Sequence, residues 1–172
     1  MQRHAPIPRF AALPILLLST MLLMVGCGEG ASPPEGITFG PDVLPTDLTY
    51  APELGVDFSE MEQTSGGVWI RDVVEGDGEE AVPGRQIRVH YTGYFPDGSS
   101  FDSSRGGDAG FSFPLGAGRV IPGWDDGVAG MRVGGERILV IPWDMAYGPP
   151  GAGGVIPPYA ILVFEVELLE VE

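Results

Sequence analysis

The chain contains no lysine, one cysteine and two histidines, and each shortage removes a class of function. Its positive charge rests on arginine alone, and the formal net charge is −15 at pH 7. Phosphate backbones are repelled by such a surface, so no nucleic acid partner is expected. Acidity of this kind suits solubility rather than any particular partner. A single thiol, Cys27, leaves no partner for a disulfide within the chain. His4 lies in the N-terminal segment, so a histidine-based metal site or a hydrolase triad would have only His90, and lacks its parts. His90 reads as an ordinary strand residue, and no metal or cofactor is expected. Helix is scarce as well: 27 glycines and 17 prolines among 172 residues imply many turns. A hydrophobic content of 44% is still enough for one packed domain.

What is present begins with an address. Residues 1–27 show a basic start (Arg3, His4, Arg9), an apolar stretch from Phe10 to Val25, and then Gly26-Cys27. This is the three-part plan of a secretory signal peptide. The apolar stretch is broken by Pro14 and Ser19-Thr20 and is short for a membrane span of ~20 residues; an uncleaved signal anchor is the alternative. Met24-Val25-Gly26-Cys27 resembles the lipobox of bacterial lipoproteins, with Met24 where leucine is usual. The resemblance implies lipidation of Cys27 and an exported, membrane-anchored protein facing the periplasm or cell exterior. Two or more acyl chains give stable anchoring. Cleavage before Cys27 would leave seven arginines against 24 acids, a net charge of −17.

Residues 28–65 are expected to form a tether. Pro33-Pro34, Pro41, Pro45 and Pro52 interrupt an acidic, apolar-poor stretch, which buries too little surface to offset chain entropy. A flexible coil of this length spans roughly 35 Å. The apolar residues from Leu48 to Met61 leave open a second possibility, that this part docks on the domain as an extended strand.

The domain is expected over 66–172. Strand patterns run from Val68 to Val74, Gln86 to Thr92, Glu136 to Ile141, and Ala160 to Val171. In the last, Phe164, Val166 and Leu168 alternate with Glu165 and Glu167, predicting one buried and one wet face. Pro122 near its start, acids in the first turn and Gly130 as a stop predict one short helix over 123–130. The class is α+β, an antiparallel sheet with a helix packed on one face.

Aromatics in this domain sit in short turn-bounded motifs rather than a core stripe, beside a lone aspartate. They suggest a dry, rigid pocket for a small apolar guest. The motifs are Val89-His90-Tyr91-Thr92-Gly93, Phe101-Asp102-Ser103-Ser104, Val120-Ile121 with Gly123-Trp124, Ala146-Tyr147-Gly148 and Ile156-Pro157-Pro158. In this order and spacing the chain resembles the FKBP-type peptidyl-prolyl cis-trans isomerases over roughly its last three-fifths. The resemblance implies a bent antiparallel β-sheet wrapped around one short α-helix. It implies isomerisation of X-Pro bonds in proline-containing polypeptides, here exported proteins during folding, and binding of macrolides such as FK506 or rapamycin. No nucleophile or cofactor is needed, and a monomer is expected. Catalytic roles fall on Tyr91, Asp102, Trp124 and Tyr147: Trp124 as the floor under the proline ring, Asp102 orienting Tyr91, and Tyr147 donating its hydroxyl to a peptide carbonyl. Phe101, Phe111, Val120, Ile121 and Phe164 would line the walls, and the Ile156 N–H would supply a second donor. Phe113 and Trp69 read as core. The Gly/Pro loop from Tyr147 to Pro158 would cover the pocket and tune substrate choice; no helix can follow it through Pro157-Pro158, so it cannot cradle phosphate. Ala152 stands where many members carry a larger residue, which bears on substrate preference. A module that holds chains in the same pocket without catalysis is the alternative function.

Overall fold

The computed structural model describes residues 36–107 and 109–172. The expected signal segment with its Cys27, and residues 28–35 of the expected tether, lie outside the described residues. No helix within the described residues is long and apolar enough to cross a membrane.

Seven strands among the described residues form one antiparallel sheet: β1 (Glu62–Gln63), β2 (Trp69–Val74), β3 (Gln86–Tyr94), β4 (Ser100–Ser103), β5 (Phe111–Pro114), β6 (Glu136–Ile141) and β7 (Leu162–Val171). Their order is β1-β2-β6-β7-β3-β4, and β5 shares the free edge of β3 with β4. Three register shifts interrupt the ladders, between Asp72 and Val74, Arg88 and Val89, and Gly93 and Tyr94. Bulges of this kind bend and twist a sheet. The concave face receives the single helix, α1 (Pro122–Gly127). Ile87, Val89, Leu139, Ile141, Leu162, Phe164, Val166 and Leu168 point into this main core with Trp124 and Val128. The expected α+β architecture is the one observed.

The helix is shorter than its sequence pattern and lies hard against the sheet. A Cβ at Gly123 would collide with Ile141 Cγ2, and one at Gly127 would stand 3.0 Å from Leu139 Cδ2. Glycine at 123 is therefore a requirement of close approach. The first-turn acid Asp125 serves a neighbouring loop rather than the helix terminus. Its carboxylate accepts from the N–H groups of Gly116 and Gly118 at 2.8 and 2.9 Å. The other end of α1 is held by buried Arg137, whose guanidinium pairs with both oxygens of Asp72 and donates to the carbonyls of Gly127 and Ala129.

The expected tether requires correction from residue 36 onward. Two 3-10 turns, Pro45–Asp47 and Pro52–Leu54, lie against the convex face of the sheet, and β1 joins the edge of the sheet beside β2. Leu54 and Met61 are buried there with Ile138, Val140, Ile161 and Val163, forming a second core joined by Phe39, Tyr50, Phe58 and Trp69. The segment docks, though as turns rather than as an extended strand. Proline supplies the turns, and the apolar side chains between them supply the burial. The alternation expected in β7 is observed: Glu165 and Glu167 are partly exposed between buried Phe164, Val166 and Leu168, while Val163 before them is covered by the docked segment. Three short strands, β1, β4 and β5, were not signalled, having two to four residues each.

Candidate active site

A cavity of about 440 Å³ opens on the concave side of the sheet. Trp124 enters it from the first turn of α1, only 4% exposed. Four rings hold the indole: Tyr91, Phe164, Phe113 and Phe111, with centroids 4.9, 5.4, 5.5 and 6.0 Å away. Tyr91 and Phe164 meet it almost at right angles, at 85° and 89°. This edge-to-face arrangement suits the aromatic quadrupole and fixes the plane of the floor. The indole N–H is buried with no acceptor among the described residues. It is sealed from the cavity, so the floor presents ring carbon.

The walls follow from strand geometry. Tyr91 on β3 and Phe164 on β7 lie close in register, since Tyr91 pairs with Val166 and Gly93 with Phe164. Phe101 on β4 packs edge-on against Phe164, with centroids 5.6 Å apart. Gly93 permits this: a Cβ there would come within 2.6 Å of the Phe101 ring and 2.9 Å of the Phe164 ring. Phe111, 39% exposed, forms the mouth, and Val120 and Ile121 line the side nearest α1.

Four residues bring polar groups to this apolar space: Tyr91, Asp102, Arg119 and Tyr147. The Tyr91 hydroxyl donates to Asp102 Oδ2 at 2.6 Å, and Asp102 Oδ1 accepts the Ser103 N–H at 2.9 Å. Asp102 thus orients the phenol and takes its one proton donor. Burial, with the hydrogen bond and charge of Asp102, raises the Tyr91 pKa well above the ordinary tyrosine value. Burial and the Asp102 charge raise that of Tyr147 also. Both phenols therefore hold their protons more firmly than a free tyrosine does. The Tyr147 hydroxyl lines the cavity and has no hydrogen-bond partner among the described residues.

Nine of the ten residues expected at the pocket line this cavity: Tyr91, Phe101, Asp102, Phe111, Val120, Ile121, Trp124, Tyr147 and Phe164. Ile156 does not. Its side chain is buried in the main core, and its N–H donates to the Ala152 carbonyl at 2.9 Å while Ala152 N–H returns the bond. The covering loop closes on itself through this pair, so the expected donor is already used. Among the backbone N–H groups at the cavity that donate to no group among the described residues is that of Ile121. Its position just before α1 is the available sequence signal, because helix-start N–H groups lack intrahelical acceptors. Arg119 also lines the cavity and was missed, as a lone arginine in a Gly/Ala turn carries no pattern. Phe113, 2% exposed, and Trp69, in the second core, lie off the cavity as expected.

The family model for FKBP-type peptidyl-prolyl cis-trans isomerase matches residues 77–169. That span contains every residue of the cavity. The chain belongs to this family. It is 56% identical over 106 residues to an FK506-binding protein of Neisseria meningitidis serogroup B, covering 62% of this chain and 97% of the relative. It is 48% identical over 107 residues to the peptidyl-prolyl cis-trans isomerase Fkbp12 of Drosophila melanogaster, covering 62% and 99%. The solved structure of AtFKBP13 superposes with a TM-score of 0.61 at 38% identity, over 66% of this chain and 99% of that one. This FKBP is a peptidyl-prolyl cis-trans isomerase, and its fold is the FKBP fold. The docked segment before Asp77 lies outside the matched span.

Proposed function

We propose that the Trp124 cavity is where this FKBP turns the X-Pro bond, and that it does so by desolvation and hydrogen bonding alone. Rotation about the amide crosses a barrier of ~18–20 kcal/mol because resonance is lost. No bond is broken, so no base or nucleophile is required. The planar amide carries more charge on its carbonyl oxygen than the twisted one. A dry aromatic enclosure therefore disfavours the planar form more, and donors placed for the twisted form favour it further. The prolyl ring rests on the Trp124 face, between Tyr91, Phe111 and Phe164. Tyr147 O–H and Ile121 N–H donate to the peptide carbonyls flanking the bond, and Asp102 holds Tyr91 against the rotating carbonyl. FK506-type macrolides would compete for the same floor.

The observation that carries these roles is the Tyr91–Asp102 hydrogen bond of 2.6 Å at the edge of a cavity floored by a buried indole. Asp102→Leu tests it. Asp102 is exposed, so the thermal midpoint should move little, while kcat/KM on a proline peptide should fall about five- to tenfold, near 1 to 1.4 kcal/mol. An unchanged rate would overturn the assignment.

The clients follow from the address. An exported chain held by lipid at Cys27 would meet other exported chains as they fold, when slow X-Pro isomerisation limits the rate. Intact-mass measurement of membrane-extracted protein should show a chain that begins at Cys27 and carries acyl groups. A chain retaining residues 1–26, or an unmodified Cys27, would remove the lipoprotein assignment.

A further inference from the structure

Arg119 differs from every other arginine of the described residues. The other six each hold a carboxylate within 2.9 Å. Arg119 forms no ion pair among the described residues, although the chain carries 24 acids. It is exposed and lines the Trp124 cavity. The one carboxylate lining the cavity is Asp102, whose two oxygens accept from Tyr91 O–H and Ser103 N–H rather than from Arg119. The turn that carries Arg119 is fixed from below. Asp125 of α1 holds the N–H groups of Gly116 and Gly118, and Ile121 caps the helix that bears Trp124. Arg119 thus stands at the cavity on a pinned turn, with its guanidinium donors uncommitted among the described residues.

We propose that Arg119 selects substrates with an acidic side chain next to the prolyl bond, by pairing with that carboxylate at the cavity mouth. The proposal rests on the cavity being the site of isomerisation. The surrounding charge gives it force. An acidic peptide approaching this surface meets net repulsion, and its carboxylate gains only where a cation is within a Debye length, about 8–10 Å. A planar guanidinium with free donors is well matched to a carboxylate. The rest of the cavity is aromatic and aliphatic apart from Asp102 and the Tyr91 and Tyr147 hydroxyls, so Arg119 is the one cationic side chain lining it, and it sets the preference for an acidic neighbour.

The test compares peptides that differ by one oxygen-for-nitrogen change, Glu against Gln, placed immediately before or after proline. Isomerisation is followed by exchange NMR, which needs no coupled protease. At low ionic strength the wild-type kcat/KM should favour Glu over Gln by about two- to fivefold at one of the two positions, the range of a partly exposed ion pair. In about 1 M salt, with a Debye length of about 3 Å, the ratio should approach one. Arg119→Lys should keep a ratio above one, Arg119→Gln should abolish it, and Arg119→Glu should invert it. A wild-type ratio of one at both positions, or a ratio that Arg119→Gln leaves intact, overturns the proposal. Failure of the site itself would look different: the Asp102→Leu variant would then turn over both peptides at the wild-type rate.

Discussion

A chain that begins at Gly66 is expected to be much less stable than one that begins near residue 36, and to expose an apolar sheet face. The removed segment supplies Leu54 and Met61, 2% and 7% exposed, to the second core. It also covers Ile138, Val140, Ile161 and Val163 on the convex side of β6 and β7. Burying a single large aliphatic side chain contributes ~1.5–3 kcal/mol. Several lost at once approach the whole stability of a domain, ~5–15 kcal/mol. Polar ties would go too: the Ala51 N–H to Pro96 carbonyl bond of 2.8 Å, the Arg71–Glu60 pair at 2.7 Å, and the Thr64 hydroxyl on Asp126 of α1. Thermal unfolding checks this, together with binding of a dye that reports exposed apolar surface. The single change Leu54→Ala should cost ~2–5 kcal/mol by itself. Equal unfolding midpoints for the two chain lengths would show that the segment only rests on the sheet.

That segment shows where sequence patterns were legible and where they were not. Four strands and the helix are legible in the sequence: β3 and β7 by alternation, β2 and β6 as apolar runs bounded by turn residues, and the helix by its Pro start. β4 and β5 are too short, and they exist because β3 offers them an edge. The docked segment was read as a tether because proline and acids dominate its composition. Yet the sheet carried a signal of its own. Ile138-Leu139-Val140-Ile141 and Ala160-Ile161-Leu162-Val163-Phe164 are apolar at every position, and alternation in a strand sends such runs to both faces. A sheet apolar on both faces at the same end needs a cover on both sides. α1 covers one, and among the described residues the segment 39–61 covers the other.

The site was more legible than its boundary, because the motifs place rings by residue rather than by period. Tyr91, Asp102 and Trp124 come from three separate elements, and β3 with its partners brings them together. Hydrogen-bond donors were the weak point. Whether a backbone N–H is free depends on what its own loop does, which no side-chain motif records. Ile156 N–H is consumed by Ala152, and Ile121 N–H is left over at the helix start.

Replacing Trp124 is expected to give the largest loss of turnover, and the form of the loss discriminates between mechanisms. Trp124→Ala would remove the partner of four rings and leave a void in the main core, a cost of ~3–5 kcal/mol to folding. Trp124→Leu keeps apolar volume and separates the site from the fold. Its flexible, branched side chain cannot present the flat face that Tyr91 and Phe164 hold perpendicular to themselves. For this variant kcat/KM on a proline peptide should fall about tenfold or more, at least ~1.4 kcal/mol of lost transition-state stabilisation. If the floor acts by disfavouring the planar amide, the loss lies in kcat, since the contact is stronger for the twisted state. If the floor merely holds the proline ring, planar and twisted forms lose binding equally, KM rises and kcat stands. Desolvation predicts the first outcome. A Trp124→Leu variant with kcat intact and KM raised would keep the indole as a binding surface and move the catalytic work to the donors, Tyr147 O–H and Ile121 N–H.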